Sequence, residues 1–219
     1  MATLVKICGV TRAQDALLAE KLGAYAIGLN FYEKSPRAAS PADAWKIRKR
    51  LSPATQAVGV FVDWKARLVV ALAHSLELSA LQLHGDECSA YVTYCTKFFP
   101  VIKALRVDPN FSLARLSRFR KASGFLLDAS QPGKFGGTGK VTDWSVAQRA
   151  VEARGAVRPI LLAGGLTPEN VGEAILTVRP YAVDVASGVE SRPGIKDSGK
   201  LREFFAEVVR ANRALSELS

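Results

Sequence analysis

The chain has 219 residues, 48% of them hydrophobic, with 30 Lys and Arg against 20 Asp and Glu for a formal charge of +10. That length and apolar content suit one sizeable core, read here as a single domain over 1–219. No apolar run reaches the roughly 20 residues of a membrane span, and the opening "MATLVKICGV" has no export-signal pattern, so a cytoplasmic protein without a membrane partner is expected. Cys8, Cys88 and Cys95 lack C-x-x-C spacing, and His74 and His84 are far apart, which argues against a disulfide framework or a histidine-built metal centre. Both histidines read as ordinary structural residues.

In chain order, "LVKIC" (4–8) is a β-rich run and "TRAQDALLAEKLG" (11–23) has helical periodicity. The runs "AYAIGLNF", "QAVGVF", "LSALQLH", "FFPVIKAL", "GFLLDA", "PILLAGG" and "YAVDVASG" follow, most of them separated by helical stretches such as "DWKARLVVALAHSLE" and "TPENVGEAILTV". "GKLREFFAEVVRANRALSEL" closes the chain as an amphipathic helix. The basic segments "KIRKR" (46–50) and "RLSRFRK" (115–121) read as solvated helix faces. With no RNA-recognition signature, helix-turn-helix pattern or basic tail, no nucleic-acid partner is expected.

Eight apolar strands alternating with helices predict an α/β fold, a (β/α)₈ barrel in compact form. A doubly wound open sheet is the alternative, but no G-x-G-x-x-G follows the first strand. Ser, Gly, Asp and Arg cluster after the apolar runs, where a barrel gathers its catalytic loops.

Those strand ends carry the candidate chemistry. Cys8 ends the first strand, and Lys6, two residues earlier on the same face, is placed to favour its thiolate. Asp128 ends the sixth, and a carboxyl group there pairs with Cys8 as acid and base for moving protons within one substrate. The glycine-bearing loops "LLAGGLTPENV" and "DVASGVE", after the seventh and eighth runs, suit a phosphate. Arg37, in "FYEKSPRAAS", has the planar fork for a carboxylate. "GGTGK" (136–140) lacks Walker spacing and reads as an active-site cover.

Taken together, "KICG", "GLNFYEKSPR", "VGVFVD", "LQLHG", "LLDA", "GGTGKVTDW", "LAGGLTPENV" and "DVASGVESRPGIKD" resemble, in order from residue 6 to 197, the phosphoribosylanthranilate isomerase family of tryptophan biosynthesis. The resemblance implies a cofactor-free Amadori rearrangement of a small phosphorylated substrate. It also implies Cys8 as general base, Asp128 as general acid, and Arg37 as receiver of the anthranilate carboxylate. Gly164, Gly165, Ser187 and Gly188 would hold the phosphate, and Asp184 would contact the sugar hydroxyls or order that loop. Thr142 and Ala186 depart from the family's usual residues, which bears only on loop packing and the hydrogen bonds that support the site. Another sugar-phosphate isomerase or epimerase, or an idle anion-binding barrel, is the alternative. Monomer and homodimer both stay open.

Overall fold

A computed structural model describes residues 2–108, 110–129, 142–153 and 158–217. The first half runs β1 (Leu4–Ile7), α1 (Ala13–Lys21), β2 (Ala26–Asn30), α2 (Pro41–Arg48), β3 (Gln56–Phe61), α3 (Ala66–Ser75), β4 (Ala80–Leu83) and α4 (Ser89–Cys95). The second half runs β5 (Val101–Val107), α5 (Ala114–Ser117), β6 (Gly124–Ala129), α6 (Trp144–Glu152), β7 (Ile160–Leu162), α7 (Pro168–Val178), β8 (Ala182–Val185), the hairpin β9 (Glu190–Arg192) with β10 (Ile195–Lys196), and α8 (Ser198–Glu217). Strands β1 to β8 pair in sequence order, all parallel, and β8 returns to β1 to close the barrel. The predicted (β/α)₈ fold is therefore the observed one, and the open-sheet alternative is excluded.

Period-two alternation along each strand divides the interior in two. Val5, Ile7, Ile27, Leu29, Leu81, Leu83, Leu127 and Leu162 face outward into the layer between strands and helices. Leu4, Ile102, Ala104, Leu126, Leu161, Ala163 and Ala182 fill the barrel itself. The inward series turns polar as each strand nears its C-terminal end: Lys6, Gln82, Asp128 and Asp184 are all buried. The register that builds the barrel thus also collects its polar groups at one mouth.

Closure is locked by α8, where Asn212 accepts the Thr3 N–H at 2.8 Å and donates to the Thr3 carbonyl at 3.0 Å. No helix among the described residues is long and apolar enough to cross a membrane. The basic stretch 115–121 differs from expectation, since its helix covers only Ala114–Ser117. Leu113, Leu116 and Phe119 lean on the core at a spacing of three, matched by i to i+3 bonds from Leu116 to Leu113 and from Phe119 to Leu116. That spacing serves tight turns better than a 3.6-residue helix. The β9–β10 hairpin lies beyond the eight predicted strands and sets Glu190 beside Lys196.

Candidate active site

One pocket at the C-terminal mouth is lined by Cys8, Arg37, Asp128, Gly164, Gly165, Asp184 and Ser187, seven of the eight residues singled out from the sequence. The eighth, Gly188, does not line it. It packs behind, where an added Cβ would strike the backbone of Leu166 and Thr167. "GGTGK" lies outside the described residues.

Cys8 follows β1 and stands over a buried ion pair. Lys6 Nζ lies 2.6 Å from Asp184 Oδ1, and the two residues are register partners on β1 and β8. Burial works against the Lys6 charge, but Asp184 and then Cys8 more than offset it, so the ammonium's pKa is raised. For Cys8 burial raises the thiol's pKa and Asp184 adds to it; Lys6 and Lys196 pull the other way without reversing the sign. Lys6 thus favours the thiolate as expected, but burial first and Asp184 second outweigh it. Asp184 faces the pocket as expected, with one oxygen committed to Lys6.

Beneath Cys8 sits a second cation that sequence reasoning passed over. Lys196 Nζ donates to the carbonyls of Cys8 (2.7 Å) and Ala186 (3.0 Å) and to Glu190 Oε1 (3.0 Å). This buried ammonium ties the Cys8 end of β1 to the loop after β8. Burial lowers its pKa, and Glu190 opposes the shift without reversing it. Glu190 is the hub: it also accepts Arg37 Nε at 2.9 Å and Arg37 Nη2 at 2.8 Å. Burial opposes its charge, yet Arg37 and Lys196 hold its pKa below the usual carboxylate range.

Arg37 reaches this position because its loop folds back on β2. Asn30 donates to Ser35 Oγ at 3.1 Å and accepts the Tyr32 N–H at 2.9 Å, and Ser35 Oγ accepts the Arg37 N–H. The arginine's stem then crosses Gly9, whose φ of +67° and lack of a side chain leave it room. The Glu190 bonds engage Nε and Nη2, and among the described residues none bonds Nη1, a donor of the kind a carboxylate accepts.

Asp128 comes from the inner face of β6. Its Oδ1 accepts the Ala129 N–H at 2.9 Å, and its Oδ2 lies 3.2 Å from His84 Nε2. His84 therefore is more than an ordinary structural residue; it lines the same pocket, with Gln82 2.9 Å from its other ring nitrogen. The signal was present in "LQLHG", where polar residues 82 and 84 alternate with Leu81 and Leu83.

The first glycine loop adjoins the end of β6, where a Cβ on Gly164 would strike Ala129. Asn170 donates to the Gly165 carbonyl at 2.9 Å and accepts the Thr167 N–H at 2.8 Å, holding the loop against the start of α7. Thr142 donates to the Ala163 carbonyl at 2.6 Å, so this departure from the family pattern buttresses the end of β7. Gly164, Gly165, Leu166 and Ser187 line one side of the pocket, where small residues let backbone N–H groups approach an anion closely. Gly188→Ala is expected to push this floor out of place and raise KM well above any change in kcat, as steady-state kinetics would register. An unchanged KM would separate Gly188 from the anion site.

Fold and site together define a (β/α)₈-barrel protein with a polar pocket, lined by a thiol and carboxyl groups, at the C-terminal ends of its strands. Residues 5–207 match the family described as N-(5'-phosphoribosyl)anthranilate (PRA) isomerase. A protein of that name from Trichlorobacter lovleyi is 48% identical over 208 residues, 94% of this chain and 98% of that protein. The crystal structure of phosphoribosyl anthranilate isomerase from Thermotoga maritima superposes with a TM-score of 0.87 at 39% identity, covering 95% of this chain and 99% of that one. A further isomerase structure, in complex with reduced 1-(o-carboxyphenylamino)-1-deoxyribulose 5-phosphate, matches with a TM-score of 0.84 at 38% identity over the same shares. The chain belongs to the N-(5'-phosphoribosyl)anthranilate isomerase family and is an isomerase.

Proposed function

We propose that this chain converts N-(5'-phosphoribosyl)anthranilate into 1-(2-carboxyphenylamino)-1-deoxyribulose 5-phosphate in tryptophan biosynthesis, with Asp128 as general acid and Cys8 as general base. What supports the reading most is that Cys8 and Asp128 line one pocket together with Arg37 and the anion-suited glycine loops. The phosphate rests on the loops of Gly164, Gly165 and Ser187, with Gly188 behind them, and the anthranilate carboxylate meets Arg37. Held at both ends, the sugar spans the acid and the base.

Asp128 protonates the ring oxygen of the aminoaldose. The bond from that oxygen to C1 breaks as the nitrogen lone pair forms an iminium. Cys8 thiolate then takes the proton from C2, and the C2–H electrons form C1=C2 and neutralise the nitrogen. The resulting enolamine loses its O–H proton and gains one at C1, leaving a ketone. The carbon skeleton is oxidised at C2 and reduced at C1, so no external oxidant or reductant enters. Asp128 ends one proton short and Cys8 one proton richer, and exchange with water resets both.

Freshly prepared phosphoribosylanthranilate should lose its fluorescence on addition of the protein, with indole-glycerol-phosphate synthase present to draw off product. A folded protein that binds inorganic phosphate yet leaves the fluorescence unchanged would refute this function. The substrate's carboxylate gives a second check. Wild type should prefer the anthranilate compound to an aniline analogue, and Arg37→Ala should lose most of that preference, about 1.5–3 kcal/mol for a charged hydrogen bond. An intact preference would remove Arg37 from that role.

A further inference from the structure

We propose that Glu190 is a positioning residue for Arg37, and through it a determinant of specificity for the substrate's carboxylate, with Lys196 as its counter-charge; the inference rests on reading Arg37 as that carboxylate's receiver. A guanidinium has two edges that match a carboxylate, Nε with Nη2 and Nη1 with Nη2. Glu190 occupies the first, Oε1 accepting from Nε at 2.9 Å and Oε2 from Nη2 at 2.8 Å. The second edge bonds no group among the described residues, and Arg37 lines the pocket. One carboxylate of the protein thus fixes the plane of the fork and leaves the other edge whole for a carboxylate of the substrate.

Glu190 is itself firmly held. It is buried on β9, opposite Lys196 on β10. The hairpin is seated from outside: Thr11 Oγ1 donates to the Gly194 carbonyl at 2.6 Å, and Asp15, paired with Arg12, accepts the Lys196 N–H at 3.0 Å. Among the described residues, every group bonded to the Glu190 carboxylate is a donor. Oε1 accepts from Arg37 Nε, from Lys196 Nζ at 3.0 Å and from the Gly194 N–H at 3.2 Å, and Oε2 accepts from Arg37 Nη2. An amide there would set its own N–H bonds against one of these donors in either orientation, so the site requires a carboxylate.

Lys196 restores the charge that Glu190 cancels. Its Nζ has three acceptors, the Cys8 and Ala186 carbonyls and Glu190, and only an ammonium has three N–H bonds to give. Arg37 and Lys196 against Glu190 leave a single positive charge, which the substrate's carboxylate neutralises. The neighbours do not oppose this balance. Lys6 pairs with Asp184, Arg12 pairs with Asp15, and Lys200 Nζ, donating to the Glu190 carbonyl at 3.0 Å, adds charge of the same sign.

The test compares kcat/KM for phosphoribosylanthranilate with that for its aniline analogue, in the full chain. Glu190→Gln should lower the preference for the anthranilate compound about 10–100-fold, the span of a charged hydrogen bond, chiefly by raising KM for that compound. A merely structural loss would slow both compounds alike and leave the preference unchanged, which would overturn the proposal. In an Arg37→Ala background, Glu190→Gln should alter the preference by less than about 2-fold, and a full second loss there would also overturn it. Arg37→Lys keeps the charge and leaves Glu190 in place, which covers the case in which Glu190→Gln fails to fold. One ammonium has no second edge to offer, so the preference should fall by about 10-fold or more; a wild-type preference would show that charge alone suffices and overturn the proposal. Lys196→Met should lower the preference too, and an unchanged value would overturn its part as counter-charge. The two readings separate cleanly: an intact preference in Arg37→Ala fails the receiver reading, whereas a preference lost there but kept in folded Glu190→Gln fails the role of Glu190 alone.

Discussion

Cys8→Ala is expected to lower kcat by about 10²–10⁴-fold, the usual share of a general base, while KM stays close to wild type. The argument is local. Alanine removes the atom proposed to accept the C2 proton but leaves Lys6 paired with Asp184 and Lys196 bonded to the backbone carbonyl of residue 8, so the pocket's loops keep their positions. Cys8→Ser should fare no better, because a hydroxyl is a far weaker acid than a thiol and offers almost no anion at neutral pH. The sign of the pH dependence follows from the same site. Burial and Asp184 raise the pKa of Cys8, so the thiol form predominates near neutrality and the thiolate fraction grows with pH. The productive form also needs a proton on the acid, so the sign is read in Asp128→Asn: its residual kcat/KM should climb across neutral pH with the thiolate fraction, and a flat stopped-flow profile there would rule out a thiolate base with a raised pKa.

The barrel was legible because each strand is a continuous apolar run and each intervening segment has helical spacing, the pattern of a parallel sheet covered on its outer face. Cys8, Arg37, Asp128 and the glycine loops were legible because each ends or follows such a run. His84 and Gln82 ended a run too, but a histidine within an apolar stretch looks the same whether it meets a core carbonyl or an acid from β6, and that meeting depends on the register of strands 44 residues apart. Lys196 and Glu190 were harder still. Their partnership comes from a hairpin outside the eightfold repeat, and Glu190 joins Arg37 across 153 residues of sequence. The pKa balance of Cys8 was not legible at all. "LVKIC" displays Lys6 beside the thiol, whereas the opposing Asp184 arrives only when β8 closes against β1.

Asp128→Asn is expected to reduce kcat by about 10²–10⁴-fold with KM largely kept, measured by the same fluorescence decay. The amide matches the carboxyl group in size. Its oxygen can still accept the Ala129 N–H, and its NH₂ can donate to a neutral His84 Nε2, so the site retains its shape. What it lacks is a proton that can be given to the ring oxygen, since an amide nitrogen does not act as an acid in water. Ring opening would then depend on protonation by solvent, in a pocket that holds Asp128 at only 5% exposure. The loss should accordingly shrink when substrate is supplied with its sugar ring already open, because that form bypasses the step proposed for Asp128. No such recovery is expected for Cys8→Ala, whose step lies after ring opening. An Asp128→Asn enzyme equally impaired on closed and open forms would place Asp128 at a later proton transfer.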